Sequence, residues 1–126
     1  MGTIRRWKSA GVFETRVSGV VSVATALQSL EELEQLVTGG ELYELVLHDD
    51  NALIDIDYDS GHDITARARA FLDSLRVGAV AFVATTDASY GRCRQLQTRV
   101  NAQSVDVEVF RRDDEAKAWL AEMRAR

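Results

Sequence analysis

The stretch Val105-Asp-Val-Glu-Val-Phe110, followed by Arg-Arg-Asp113-Asp-Glu-Ala-Lys-Ala-Trp119-Leu120, decides the fold class. Val105, Val107 and Val109 alternate with Asp106 and Glu108, the period of a half-exposed strand. Asp113 stands where a helix cap belongs, and Ala116, Trp119, Leu120 and Met123 then recur at helical spacing. A strand therefore runs into an amphipathic helix with almost no loop between them. The same unit recurs upstream. Leu42 to Leu47 and Ala79 to Ala84 are apolar on both faces, as interior strands of a parallel sheet are. Gly39-Gly40 supplies a left-handed stop before the first, and Gly78 separates the second from the helix before it.

The intervening segments read as helices. Val23, Ala26, Leu27, Leu30, Leu33, Leu36 and Val37 keep helical spacing among Glu31, Glu32, Glu34 and Gln35. Asp63 can cap a helix buried through Ile64, Ala68, Phe71, Leu72 and Leu75. Asp87 or Ser89 can open a third, whose inner stripe is Tyr90, Cys93, Leu96 and Val100. At the start, Ile4 to Lys8 and Val12 to Val17 flank Ser9-Ala10-Gly11, a hairpin signal. The order is ββαβαβαβα, and right-handed crossovers make it an α/β fold with a mostly parallel five-stranded sheet.

Composition narrows the function classes. The chain has 126 residues, which suits a single domain, residues 1–126, with one core. A net charge of -5, from 15 Lys+Arg and 20 Asp+Glu, offers no field for phosphate backbones, so nucleic acid is a poor partner. Apolar runs fall short of the roughly 20 residues of a membrane-spanning helix, and Met1 to Lys8 lacks the apolar segment of a secretory signal. With Cys93 the single cysteine, a reducing compartment and a cytoplasmic location are the expectation. No cofactor is expected, because no phosphate-cradling glycine pattern follows a strand.

The pattern of Leu45-Val-Leu47, Val80-Ala-Phe-Val83, Tyr90-Gly-Arg-Cys-Arg94 and the tail from Val109 to Leu120 resembles the bacterial STAS/SEC14-like proteins with the SpoIIAA-like fold. The tail is its most specific part. The resemblance implies a small βα superhelix and a regulatory or apolar-ligand-binding module, not a reaction. Relatives that act as anti-sigma-factor antagonists are phosphorylated on a serine just before the second helix. The matching turn here is Asp59-Ser60-Gly61, which makes Ser60 the candidate phosphosite, although glycine stands where the family has a second serine.

Ligands of such sheets gather at the carboxyl ends of the strands. That rule nominates His48, Asp49, Tyr90 and Arg94 as ligand-binding residues. Tyr90 can line a cleft with its ring, and Arg92, Arg94 and Arg99 can either receive an anionic head group or solvate the outer face of their helix. Residues 48–63 hold both histidines and six aspartates. Asp55, Asp57 and Asp59 open like a calcium loop, but Ser60 occupies the glycine position and Ala66 the final glutamate position. His48 and His62 with a carboxylate are a second metal arrangement, for a transition metal. The leading reading is a non-enzymatic regulatory or ligand-binding module. The alternatives are a metal-dependent hydrolase-like enzyme using the acidic loop, and a homo-oligomeric interaction module with a phosphorylatable serine. A homodimer is expected if the helices crowd one face and leave the other to be covered.

Overall fold

A computed structural model describes residues 2–55, 58–100 and 103–126, with the backbone alone for residues 58–60. Its elements are β1 (Thr3–Ser9), β2 (Val12–Ser18), β3 (Val20–Ser22), α1 (Val23–Leu36), β4 (Glu41–His48), β5 (Leu53–Asp55), α2 (Tyr58–Asp73), β6 (Val77–Ala84), α3 (Asp87–Val100), β7 (Val105–Phe110) and α4 (Asp113–Ala125). One sheet carries five strands in the order β1-β2-β4-β6-β7. Only the β1–β2 pair is antiparallel, and β4 and β6 lie inside, as their apolar runs require. The expected α/β class and mostly parallel sheet are both present. Among the described residues no helix is long and apolar enough to cross a membrane.

Two short strands were not legible. Val20–Ser22 and Leu53–Asp55 form a separate parallel ladder. Three residues give too short a run for periodicity to register, and each strand exists only because the other lies beside it.

The hairpin turns on Ala10 and Gly11, with φ of 52° and 83°. Both central residues are left-handed and Ser9 pairs with Val12, which is the arrangement of a type I′ turn. Alanine is strained there, whereas asparagine tolerates the conformation. Ala10→Asn should therefore raise stability by about 1 kcal/mol in urea unfolding. An unchanged or lowered midpoint would show that the turn is not under strain.

Helix starts differ from expectation in instructive ways. Ser22 caps α1 by accepting the Thr25 amide at 3.2 Å, and Gly39 and Gly40, at φ 77° and 76°, lie left-handed just beyond its end. α2 begins at Tyr58 rather than after Asp63. Buried Gly61 precedes Ile64 by three residues, so the inward face continues one turn toward the N-terminus. α3 takes the earlier of its two expected starts, Asp87, and the Thr86 hydroxyl accepts the Ser89 amide. In α4 the cap position is Arg112, not Asp113, and its side chain makes no capping bond. Asp113, Asp114 and Glu115 instead fill the first turn, where the positive end of the helix dipole favours carboxylates.

Gly78 lies within β6 opposite Leu42, rather than in the loop before it. A Cβ there would stand 2.2 Å from the Leu42 carbonyl oxygen, so only glycine lets β4 and β6 approach.

The core has two sides. α1, α2 and the end of α3 close over Phe13, Val17, Leu42, Val46, Val80 and Val105. α4 packs alone on the opposite face, where Ala116 and Leu120 meet Leu45, Ala79, Ala81 and Val83. Half-buried Trp119 rests against Phe110, ring centroids 5.6 Å apart. The central strands are thus covered on both sides within one chain, which removes the reason for requiring a second copy there.

Candidate functional site

β4 directs Glu44, Val46 and His48 to the side of the sheet that faces α1, α2 and α3. These helices do not fill the space beneath them. A cavity of about 180 Å³ remains, walled largely by apolar side chains such as Leu33, Val46, Ala68, Phe71, Val80, Phe82 and Leu96.

Beyond His48, at the carboxyl ends of β4 and β5, lies a second hollow of about 270 Å³. Its walls include Ala52, Leu53, Gly61, Ser89, Arg92, Cys93 and Arg99. His48, Ile54, Ile64 and Leu96 line both spaces, so the outer hollow adjoins the inner one across these four side chains, and we refer to it as the mouth. Its position beyond the end of β4, between α2 and α3, is at the edge of the sheet where ligands of open α/β folds collect.

His48 stands at the junction. Its ring meets Phe82 edge-on at 6.0 Å, and its Nε2 lies 3.9 Å from the Cys93 sulfur. Burial holds the imidazole down to about 4, against the pull of the Asp49 carboxylate. Burial likewise pushes the Cys93 thiol up to about 12. The pair is therefore a neutral thiol beside a neutral imidazole at pH 7, the reverse of the thiolate–imidazolium pair a nucleophilic site needs.

The inner end of the cavity is polar. Arg6 donates from Nε to the Thr15 hydroxyl at 3.2 Å, from Nη1 to the Ser29 carbonyl at 2.9 Å and from Nη2 to the Ser29 hydroxyl at 2.8 Å. Thr15 donates onward to Glu44 Oε2 at 2.7 Å, and Arg6 Nε stands 3.5 Å from the same oxygen. Burial raises the Glu44 carboxyl above its ordinary value, with the Arg6 charge and the Thr15 hydroxyl opposing it. Sequence reasoning missed all four residues. The available signals were a lone acid, Glu44, inside a run that is otherwise apolar on both faces, and a serine on the inner face of α1.

The other nominated residues are placed as follows. Asp49 accepts from Ser18 at 2.7 Å and from Arg16 at 2.9 Å, and so ties the loop after β4 to β2 outside the cavity lining. The Tyr90 ring lies under the Arg111 guanidinium, 4.5 Å from its centroid, and packs with Ala84, Cys93 and Val109. Arg94 bonds Gln97 at 3.0 Å and pairs with Glu108 at 3.7 Å, facing the β7 edge. Of the set His48, Asp49, Tyr90 and Arg94, only His48 lines the mouth, while Arg92 and Arg99 join it.

Asp55 ends β5, and Asp57 lies outside the described residues. Asp59 and Ser60 belong to the first turn of α2, so Ser60 is inside the helix and not in a turn before it. Because helix starts at Tyr58, residues 58–66 of a twelve-residue calcium loop from Asp55 are already wound. His62 lines a separate surface hollow with Arg69 and Asp73, away from His48. Among the described residues no three His, Cys, Asp or Glu side chains cluster closely enough to hold a metal ion.

The fold has a counterpart among solved structures. The chain is similar to an uncharacterized protein of the DUF3478 family from Shewanella loihica PV-4, which is described as having a SpoIIAA-like fold. The TM-score is 0.63 and the identity 14%, over 94% of this chain and 93% of that one. The fold is SpoIIAA-like, as the resemblance in the sequence implies. No protein-family model matches the chain, and no curated protein matches it.

Proposed function

We propose that the protein is a non-enzymatic, regulatory module that binds a small apolar ligand between its sheet and α1–α3. The observation that carries this reading is an apolar cavity that shares four lining side chains with a hollow at the carboxyl edge of the sheet. Concave, mostly apolar space with a few convergent polar groups is the usual form of a small-molecule site. The neutral state of His48 and Cys93 at the junction favours binding over nucleophilic chemistry. Binding there would stabilise the folded chain by mass action, which is the coupling a regulatory module needs.

The neutral fluorophore N-phenyl-1-naphthylamine tests the reading. It should give saturable, one-to-one fluorescence enhancement with the unaltered protein. Ala68 lines the cavity from α2, so Ala68→Phe should fill the space and weaken binding at least tenfold while circular dichroism stays unchanged. No enhancement with the unaltered protein, or full binding by the filled variant, would remove the cavity as the site.

A further inference from the structure

The polar floor of the cavity selects what can enter it. Each guanidinium nitrogen of Arg6 already has a partner in Thr15 or Ser29. Glu44 Oε2 is likewise taken, by Thr15 and the nearby Arg6 Nε. Among the described residues Oε1 accepts no hydrogen bond, although Glu44 is only 6% exposed and lines the cavity. No polar side-chain atom among the described residues is sealed away without a partner, so Oε1 keeps some access to the cavity that Glu44 lines. An ionised carboxylate offers about four acceptor sites, and one buried without donors is costly.

An occupant that displaces water from that oxygen must bring a donor in its place. A carboxylate or phosphate would meet the Glu44 charge at short range in a medium of low polarity. An ammonium would lose its hydration beside Arg6. A neutral hydroxyl meets the demand at the lowest desolvation cost, and the rest of the molecule must then match the apolar walls formed by Val46, Phe71, Val80 and Phe82.

We propose that the cavity is a site for a neutral apolar alcohol, whose hydroxyl donates to Glu44 Oε1 and whose hydrocarbon extends toward His48. The assignment rests on the ligand-binding reading above and narrows it to one chemical class. Four residues of strand separate Glu44 from His48, about 13 Å at the usual rise, which suits a chain of medium length. A volume of about 180 Å³ admits one such chain and not a two-chain lipid.

Calorimetric titration of the intact protein with 1-octanol, octyl methyl ether and octanoate separates the possibilities. The three share a chain and differ in the head: a donor, an acceptor alone and an anion. 1-Octanol should bind one-to-one, the ether at least tenfold more weakly, and octanoate more weakly still. Glu44→Gln should shrink the alcohol-over-octanoate preference at least tenfold, since its amide can donate to a carboxylate. The comparison on the unaltered chain decides the matter even where that variant folds poorly. Equal binding of alcohol and ether, or preference for octanoate, overturns the alcohol assignment and leaves the cavity reading in place. The assignment also falls if the fluorophore binds and 1-octanol does not. Failure of all four compounds overturns both readings.

Discussion

Replacing Arg6 with methionine should cost about 3–5 kcal/mol of stability, and the double change Arg6→Met/Glu44→Leu should recover most of it. The Arg6 and Glu44 side chains are 8% and 7% exposed. Both are largely shielded from bulk water when the partner is removed. With Arg6 gone, Glu44 keeps only the Thr15 hydroxyl, and its negative charge is left in the apolar cavity. With both gone, no charge remains to be solvated, and apolar side chains of similar size occupy the site.

The single variant should also acquire a distinctive pH dependence. Burial already raises the Glu44 carboxyl above 4.5 in the folded chain. A carboxyl raised on folding contributes most below its unfolded value and loses that contribution as pH rises through the folded one. Without Arg6 to oppose burial, the folded value climbs further and the loss spans a wider window. The penalty of Arg6→Met should therefore be larger at pH 8 than at pH 5. Urea unfolding at the two pH values measures it, and a pH-independent penalty, or a double variant as unstable as the single one, would show that the pair is not energetically coupled.

His48 should weaken the fold on acidification by roughly 2–3 kcal/mol between pH 7 and pH 4.5, relative to His48→Phe. The ring titrates at 6.5 when solvated and at about 4 when folded. A histidine depressed on folding contributes fully above its unfolded value, and the contribution is lost as pH falls through the folded one. Glu44 shifts in the opposite sense, so the comparison must be made against the His48 variant and not on the unaltered protein alone. Phenylalanine suits the substitution because the site already holds an edge contact with Phe82. Parallel stability curves for the two proteins from pH 7 to 4.5 would mean that the imidazole stays hydrated in the fold.

Much of the fold was legible because its signals are short-range. Alternation at Val105, Val107 and Val109, the doubly apolar runs of β4 and β6, and the paired glycines after α1 each reflect a preference that a few neighbouring residues impose. Helix boundaries were legible only to within a turn. α2 was read six residues short at its start, since buried Gly61 carries no side chain to continue the apolar stripe visibly. In α1, Leu36 reads as inward but is 52% exposed, whereas Ser29 is buried because Arg6 reaches across from β1 to bind it.

The candidate site was legible in location but not in membership. The rule about carboxyl ends led to His48 and to the loops after β4 and β6. It also nominated Asp49, Tyr90 and Arg94, which the structure engages with Ser18 and Arg16, with Arg111, and with Glu108.

From its sequence alone, this chain declares a mostly parallel βα sheet with an antiparallel hairpin at its start, because hydrophobic period, caps and turns act over a few residues and leave local traces. Only the tertiary structure decided that Arg6, Thr15, Ser29 and Glu44 would meet, that α4 alone would cover the far face, and that a cavity would remain beneath α1–α3. The four polar residues come from three strands and a helix, up to 38 positions apart. Whether a charge is buried, and whether space is left beside it, depends on which distant surfaces close over it, and short-range patterns do not carry that information.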